Sequence, residues 1–80
     1  MKQTIYGIQD TRNLRTRYPD VYAYNTCGDI DGDVLIIHCM KSKISVSKYL
    51  NTNKSYRNQY FYTSEEERDK QYEKLTRKNN

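Results

Sequence analysis

The middle of the chain alternates apolar and polar positions, and only its last part takes up a helical spacing. Residues 21–24 (Val-Tyr-Ala-Tyr) and 34–39 (Val-Leu-Ile-Ile-His-Cys) are rich in branched and aromatic side chains and predict strands. Between them stands Gly28-Asp29-Ile30-Asp31-Gly32-Asp33, and Asp-Gly between apolar runs predicts a hairpin with a type I′ turn. With Asp31 and Gly32 as its central residues, Cys27 faces Ile36 and Tyr24 faces Cys39. The two cysteines then leave opposite faces, and that register excludes a disulfide between them. Ile44, Val46, Lys48 and Leu50 alternate with Ser45, Ser47 and Tyr49, which predicts a third strand with one buried face. Residues 51–55 read as a polar turn, and residues 59–62 (Gln-Tyr-Phe-Tyr) as a fourth strand.

A helix is predicted over residues 64–78. Ser64 and Glu67 have capping-box spacing, acids fill the first turn and bases the last, in the order that complements the helix dipole. Glu66 with Lys70 and Glu73 with Arg77 are spaced as i,i+4 ion pairs. The apolar stripe is thin, being Tyr72 and Leu75 with the stem of Arg68, so the helix docks along a narrow seam. Residues 1–20 support two readings. Thr4 to Ile8 fits an edge strand, and Asp10 could cap a short helix that runs through Arg17 and stops near Pro19, although Leu14 alone would anchor it. The expectation is a single α+β domain over residues 1–80: a three- to four-stranded, mostly antiparallel sheet with the C-terminal helix packed on one face.

The strand at residues 34–40 is apolar on both faces and is therefore expected to be central and covered on both sides. One helix covers one side. The side carrying Tyr22, Tyr24, Leu35 and Ile37 needs the N-terminal segment, a second copy or a partner, and a face left uncovered would be an interaction site.

Charge changes the picture most. Residues 34–64 contain no acid, yet hold Lys41, Lys43, Lys48, Lys54 and Arg57, so this block carries a net +5. The segments on either side carry −1 and 0, which makes the block the source of the +4 on the whole chain. Tyr49, Tyr56, Tyr60 and Tyr62 are threaded through it. Cations interleaved with flat rings suit phosphates and stacked bases. The competing explanation is that alternate rings fill the core while the lysines guard strand edges. Arg12, Arg15 and Arg17 form a second cluster, and arginine forks match phosphate geometry.

Other chemistry is thin. Asp29, Asp31 and Asp33 resemble a calcium loop only briefly, because the positions that should be Gly and Glu are Val34 and Met40. His38, Cys27 and Cys39 fall short of the four ligands of a structural zinc site. No cofactor or metal is expected. His38 is the only histidine, and no acid–base partner stands at a suggestive spacing. No long apolar run follows Lys2-Gln3-Thr4, and the apolar stretch at residues 34–37 is far too short for a bilayer, so a cytoplasmic protein without a membrane contact is expected.

The function that fits is a small basic, non-enzymatic binding module. Its partner would be nucleic acid, or an acidic or nucleic-acid-handling protein. The contact set would be Arg12, Arg15, Arg17, Lys41, Lys43, Lys48, Tyr49, Lys54, Tyr56, Arg57, Tyr60 and Tyr62. Length and composition suit an accessory or inhibitor of the kind phages and plasmids encode. The alternatives are a protein–protein module or homodimer through the Tyr22/Tyr24 and Leu35/Ile37 face, and a toxin-like ribonuclease using His38 and Arg57.

Overall fold

The computed structural model describes residues 2–11 and 21–77. Asp10, the expected cap of a short helix, is instead the last residue of a strand, and the rest of that helix through Arg17, with the Arg12, Arg15 and Arg17 cluster, lies outside the described residues. Five strands form one antiparallel sheet: β1 (Lys2–Asp10), β2 (Val21–Asp31), β3 (Val34–Ile37), β4 (Ser42–Ser45) and β5 (Gln59–Tyr62). A short helix α1 (Val46–Tyr49) follows β4, and α2 (Glu65–Thr76) follows β5. The order across the sheet is β4-β3-β2-β1-β5. The fold is α+β as expected, with one strand more than the three to four predicted.

That extra strand reassigns the centre of the sheet. β1 pairs with β2 along its whole length and with β5 through Tyr6↔Tyr62 to Gln9↔Gln59. Its alternation sends Ile5 into one apolar cluster and Ile8 into another. It is thus an internal strand buried on both faces, a role the sequence pattern assigned to residues 34–40. Val34 on β3 is 38% exposed, because α2 packs on β1, β2 and β5 instead.

The first cluster joins Ile5, Leu35, Ile37, Ile44, Leu50 and Phe61. After β4 the chain crosses this face through α1 and returns to the opposite edge, where Leu50 bridges Phe61 and the Asn51 N–H donates to the Phe61 carbonyl at 2.8 Å. The sheet is therefore curled, with the chain closing over its inner face. Leu35 and Ile37 are fully buried by the chain's own residues. Of the covers expected for this face, neither a second copy nor a partner is needed over Leu35 and Ile37, which Ile5, Ile44, Leu50 and Phe61 bury. The second cluster lies beneath α2 and gathers Ile8, Val21 and Tyr62, with Tyr6, Tyr60, Tyr72 and Leu75 against them.

Two local expectations change. Asp31 pairs with Val34, so Gly32 and Asp33 are the central hairpin residues, two places from the predicted register. Gly32 alone takes a positive φ, +62°, which is the type II′ pattern and not I′. A slip of two keeps every side chain on its predicted face, and Cys27 and Cys39 are both free. The I′ pattern falls at Arg57 and Asn58, with φ of 51° and 66°, closed by the Tyr56↔Gln59 bridge.

The predicted third strand ends at Ser45, and Val46–Tyr49 is helical. Asp33 causes the switch. Its carbonyl accepts the Val46 N–H at 2.8 Å, while its carboxylate accepts the Ser47 N–H at 2.7 Å and the Ser45 hydroxyl at 2.9 Å. The two N–H groups are donors that a helix start leaves unpaired.

The C-terminal helix begins as predicted, with Ser64 Oγ accepting the Glu67 N–H at 3.3 Å. Glu73 pairs with Arg77 at 2.9 Å, but Lys70 pairs with Glu67 at 3.7 Å rather than with Glu66. Arg68 is the seam's polar anchor. Only 6% exposed, it donates to the Tyr24 carbonyl at 2.9 Å, to the Gly7 carbonyl and Asn25 Oδ1 at 3.3 Å, and lies over the Tyr6 ring. Among the described residues no helix is long and apolar enough to cross a membrane.

Candidate nucleic-acid interface

Four residues of the basic block meet at one lip of the curled sheet. Tyr49, at the end of α1, and Tyr56, at the start of the Arg57-Asn58 turn, stand edge to face, with ring centres 5.3 Å apart and planes at 69°. Lys48 Nζ lies 5.5 Å from the Tyr49 ring centre, and the Arg57 guanidinium 5.4 Å from that of Tyr56. The order is cation, ring, ring, cation. Each ring also packs its inner edge against the first apolar cluster and is only half-buried, so core and surface share it.

Local structure explains the arrangement. The Asp33 cap turns α1 so that Lys48 and Tyr49 are adjacent on its last turn. Thr52 then accepts the Lys54 N–H and donates to the Tyr49 carbonyl, which holds the exposed Lys54 loop beside α1. The I′ turn projects Arg57 back over Tyr56.

Gln59 extends the lip. Its backbone bonds with Tyr56 in both directions, at 2.7 and 3.0 Å. Its Oε1 accepts the Tyr24 hydroxyl at 3.3 Å. Tyr24 reaches it by lying flat across Gly7, where an added Cβ would stand 2.4 Å from the ring. Burial pushes the Tyr24 phenol up to about 12. Beside it Tyr22 is 43% exposed, with ring centres 6.2 Å apart. Tyr22 and Tyr24 were expected on a protein–protein or homodimer face and not in the contact set. The signal that could have joined them to the lip is Gly7, since a glycine inside a strand marks a close approach by another group.

The remaining expected contacts lie elsewhere. Tyr62 is 3% exposed beneath α2, where burial raises its phenol to about 12, and its hydroxyl donates to Asn53 at 3.2 Å. Tyr60 packs into the same cluster. Neither ring is offered for stacking at the lip. Lys43 pairs with Ile36 on the outer face, and Lys41 occupies the β3–β4 turn with φ of 53°.

His38 has a partner that sequence spacing did not reveal. Its Nε2 is 2.7 Å from Asp29 Oδ2, and this hydrogen bond holds the Asp29 carboxyl below its ordinary value. The pair sits far from Arg57. His38 bonds to Cys27, which faces Thr4, whereas the Arg57 turn abuts Asp10. Along β1 these levels are about six residues, or roughly 20 Å, apart. Asp29 and Asp33 turn to different partners, His38 and the start of α1.

No protein-family model matches the chain, and neither a curated protein nor a solved structure shows significant similarity to it.

Proposed function

We propose that this chain is a small basic, non-enzymatic binding module. It takes a single-stranded stretch of nucleic acid across Tyr49 and Tyr56, with Lys48, Lys54 and Arg57 on the neighbouring phosphates. The observation that carries the reading is the cation–ring–ring–cation order along one lip. Stacking on an aromatic ring is tolerant of sequence and contributes about 1–3 kcal/mol per base. Phosphate neutralisation supplies affinity that falls with salt. Occupying a single strand in this way would suit an accessory or inhibitory role.

The test is a fluorescent single-stranded oligonucleotide titrated at low and at moderate salt. Binding should weaken steeply with salt, and Tyr56→Leu should weaken it further while keeping the apolar contact to the core. Absence of binding at low salt would remove the proposal.

A protein partner is the second reading, favoured by the exposed Tyr22 beside Tyr24 at the end of the same lip. Capture of a partner that survives nuclease treatment and is lost with Tyr22→Ser would favour it. A ribonuclease built on His38 and Arg57 is disfavoured by their separation along β1, which is too long for one phosphate.

A further inference from the structure

A cleft of about 320 Å³ lies between α2 and the loop after Leu50, on the other side of that loop from the tyrosine lip. Gln71 is only 8% exposed, yet its side-chain amide makes no hydrogen bond to any described residue. Its amide atoms are not sealed from solvent, and Gln71 lines the cleft, so a molecule in the cleft can reach them. Asn53, on the facing wall, uses its carbonyl to accept from Tyr62 and leaves its NH₂ group available. Lys70 and Lys74 rise one helical turn apart on the same face of α2. Glu67 neutralises Lys70 at 3.7 Å, and Lys74 makes no ion pair among the described residues. The cleft therefore carries one net positive charge above an unused donor–acceptor pair.

We infer that this cleft binds a nucleotide unit, with its phosphate on Lys74 and Lys70 and its base edge against Gln71 and Asn53. A volume near 300 Å³ is at the lower end of small-ligand sites. Bare phosphate would satisfy the lysines and leave the amide unused. A nucleobase edge supplies donor and acceptor side by side, as a carboxamide reads them. The site goes beyond the lip and does not depend on it. The unit can come from a free nucleoside monophosphate or from one residue of a polynucleotide, since the recognised groups are the same.

The experiment follows the side-chain amide signals of ¹⁵N-labelled protein. The four nucleoside monophosphates, inorganic phosphate and a short single-stranded oligonucleotide are titrated separately. The Gln71 and Asn53 NH₂ signals should shift saturably with at least one nucleotide and should not move with inorganic phosphate. Shifts with monophosphates assign the free ligand as the source, and shifts with the oligonucleotide alone assign a residue of a chain. Lys74→Gln, an exposed change that leaves the fold intact, should weaken binding about tenfold. Gln71→Leu, close in volume, should abolish discrimination among the bases. Tyr56→Leu should leave the monophosphate response unchanged, which separates this site from the lip. If Gln71 and Asn53 stay silent with every nucleotide, or if inorganic phosphate reproduces their shifts, the inference is overturned.

Discussion

The Asp33 carboxylate accepts the backbone N–H of Ser47 at 2.7 Å, so the start of one helix is capped by a residue from the preceding hairpin turn. Ser45 occupies the usual cap position but makes no cap bond of its own, and instead donates its hydroxyl to Asp33.

This arrangement predicts a pH-dependent loss of stability. The Ser47 and Ser45 hydrogen bonds hold the Asp33 carboxyl below its ordinary value of 3.8. Its folded value is depressed, so its contribution is present above 3.8 and is lost as pH falls through the lower folded value. Asp33→Asn should lower the urea midpoint at neutral pH with an unchanged slope, and should flatten the acid limb of the midpoint-against-pH profile. An acid limb identical to the unmodified protein's would refute the cap.

Arg68 should be the most sensitive polar position. Its guanidinium joins α2 to the Gly7 and Tyr24 carbonyls in a dry seam, with Asp69 at 2.7 Å on its outer side. Arg68→Ala leaves buried acceptors without a donor and should cost about 3 kcal/mol in urea denaturation. Arg68→Lys should recover only part of that, because an ammonium loses the separate Nε bond to Asp69 and the planar contact with the Tyr6 ring.

Gly7→Ala should displace the Tyr24 ring rather than the backbone of β1. An overpacked site of this kind costs about 1–3 kcal/mol. The diagnostic reading is ultraviolet titration of the phenols. Burial raises Tyr24 from 10.0 to about 12, so its contribution to stability is present below pH 10.0 and is lost as pH rises through about 12. In Gly7→Ala one phenol should titrate closer to 10.0, and the alkaline loss of stability should shrink.

The lip predicts an asymmetry among the lysines. Lys48→Ala and Arg57→Ala should each lower the slope of binding against salt by about one counterion. Lys41→Ala and Lys43→Ala, at the β3–β4 end, should change it much less. Equal effects at all four sites would mean diffuse attraction without a defined path.

What the sequence disclosed depended on how local each cause was. The C-terminal helix was readable because Ser64, its acids and the Tyr72–Leu75 stripe lie within a few residues of one another. β2, β3 and β5 were readable from their runs of branched and aromatic residues. α1 was hidden because residues 44–50 carry a strand period and the deciding group, Asp33, lies 14 residues upstream of Ser47. The centrality of β1 was hidden for a similar reason, since its second neighbour is β5. The acid-free block pointed to the Lys48–Tyr49 and Tyr56–Arg57 contacts by composition. Alternation places Tyr60 and Tyr62 on one face of β5, but composition could not show that this is the face that α2 covers.

The position of β1 also bears on how the chain reaches its native state. β1 is the first strand in sequence, yet one of its ladders is with β5, separated from it by most of the chain. During synthesis β1 to β4 can assemble as successive hairpins while the far side of β1 still faces water. The β1–β5 ladder cannot form until residues 59–62 have emerged, and it pairs strands across a loop of about fifty residues, at a correspondingly high closure entropy.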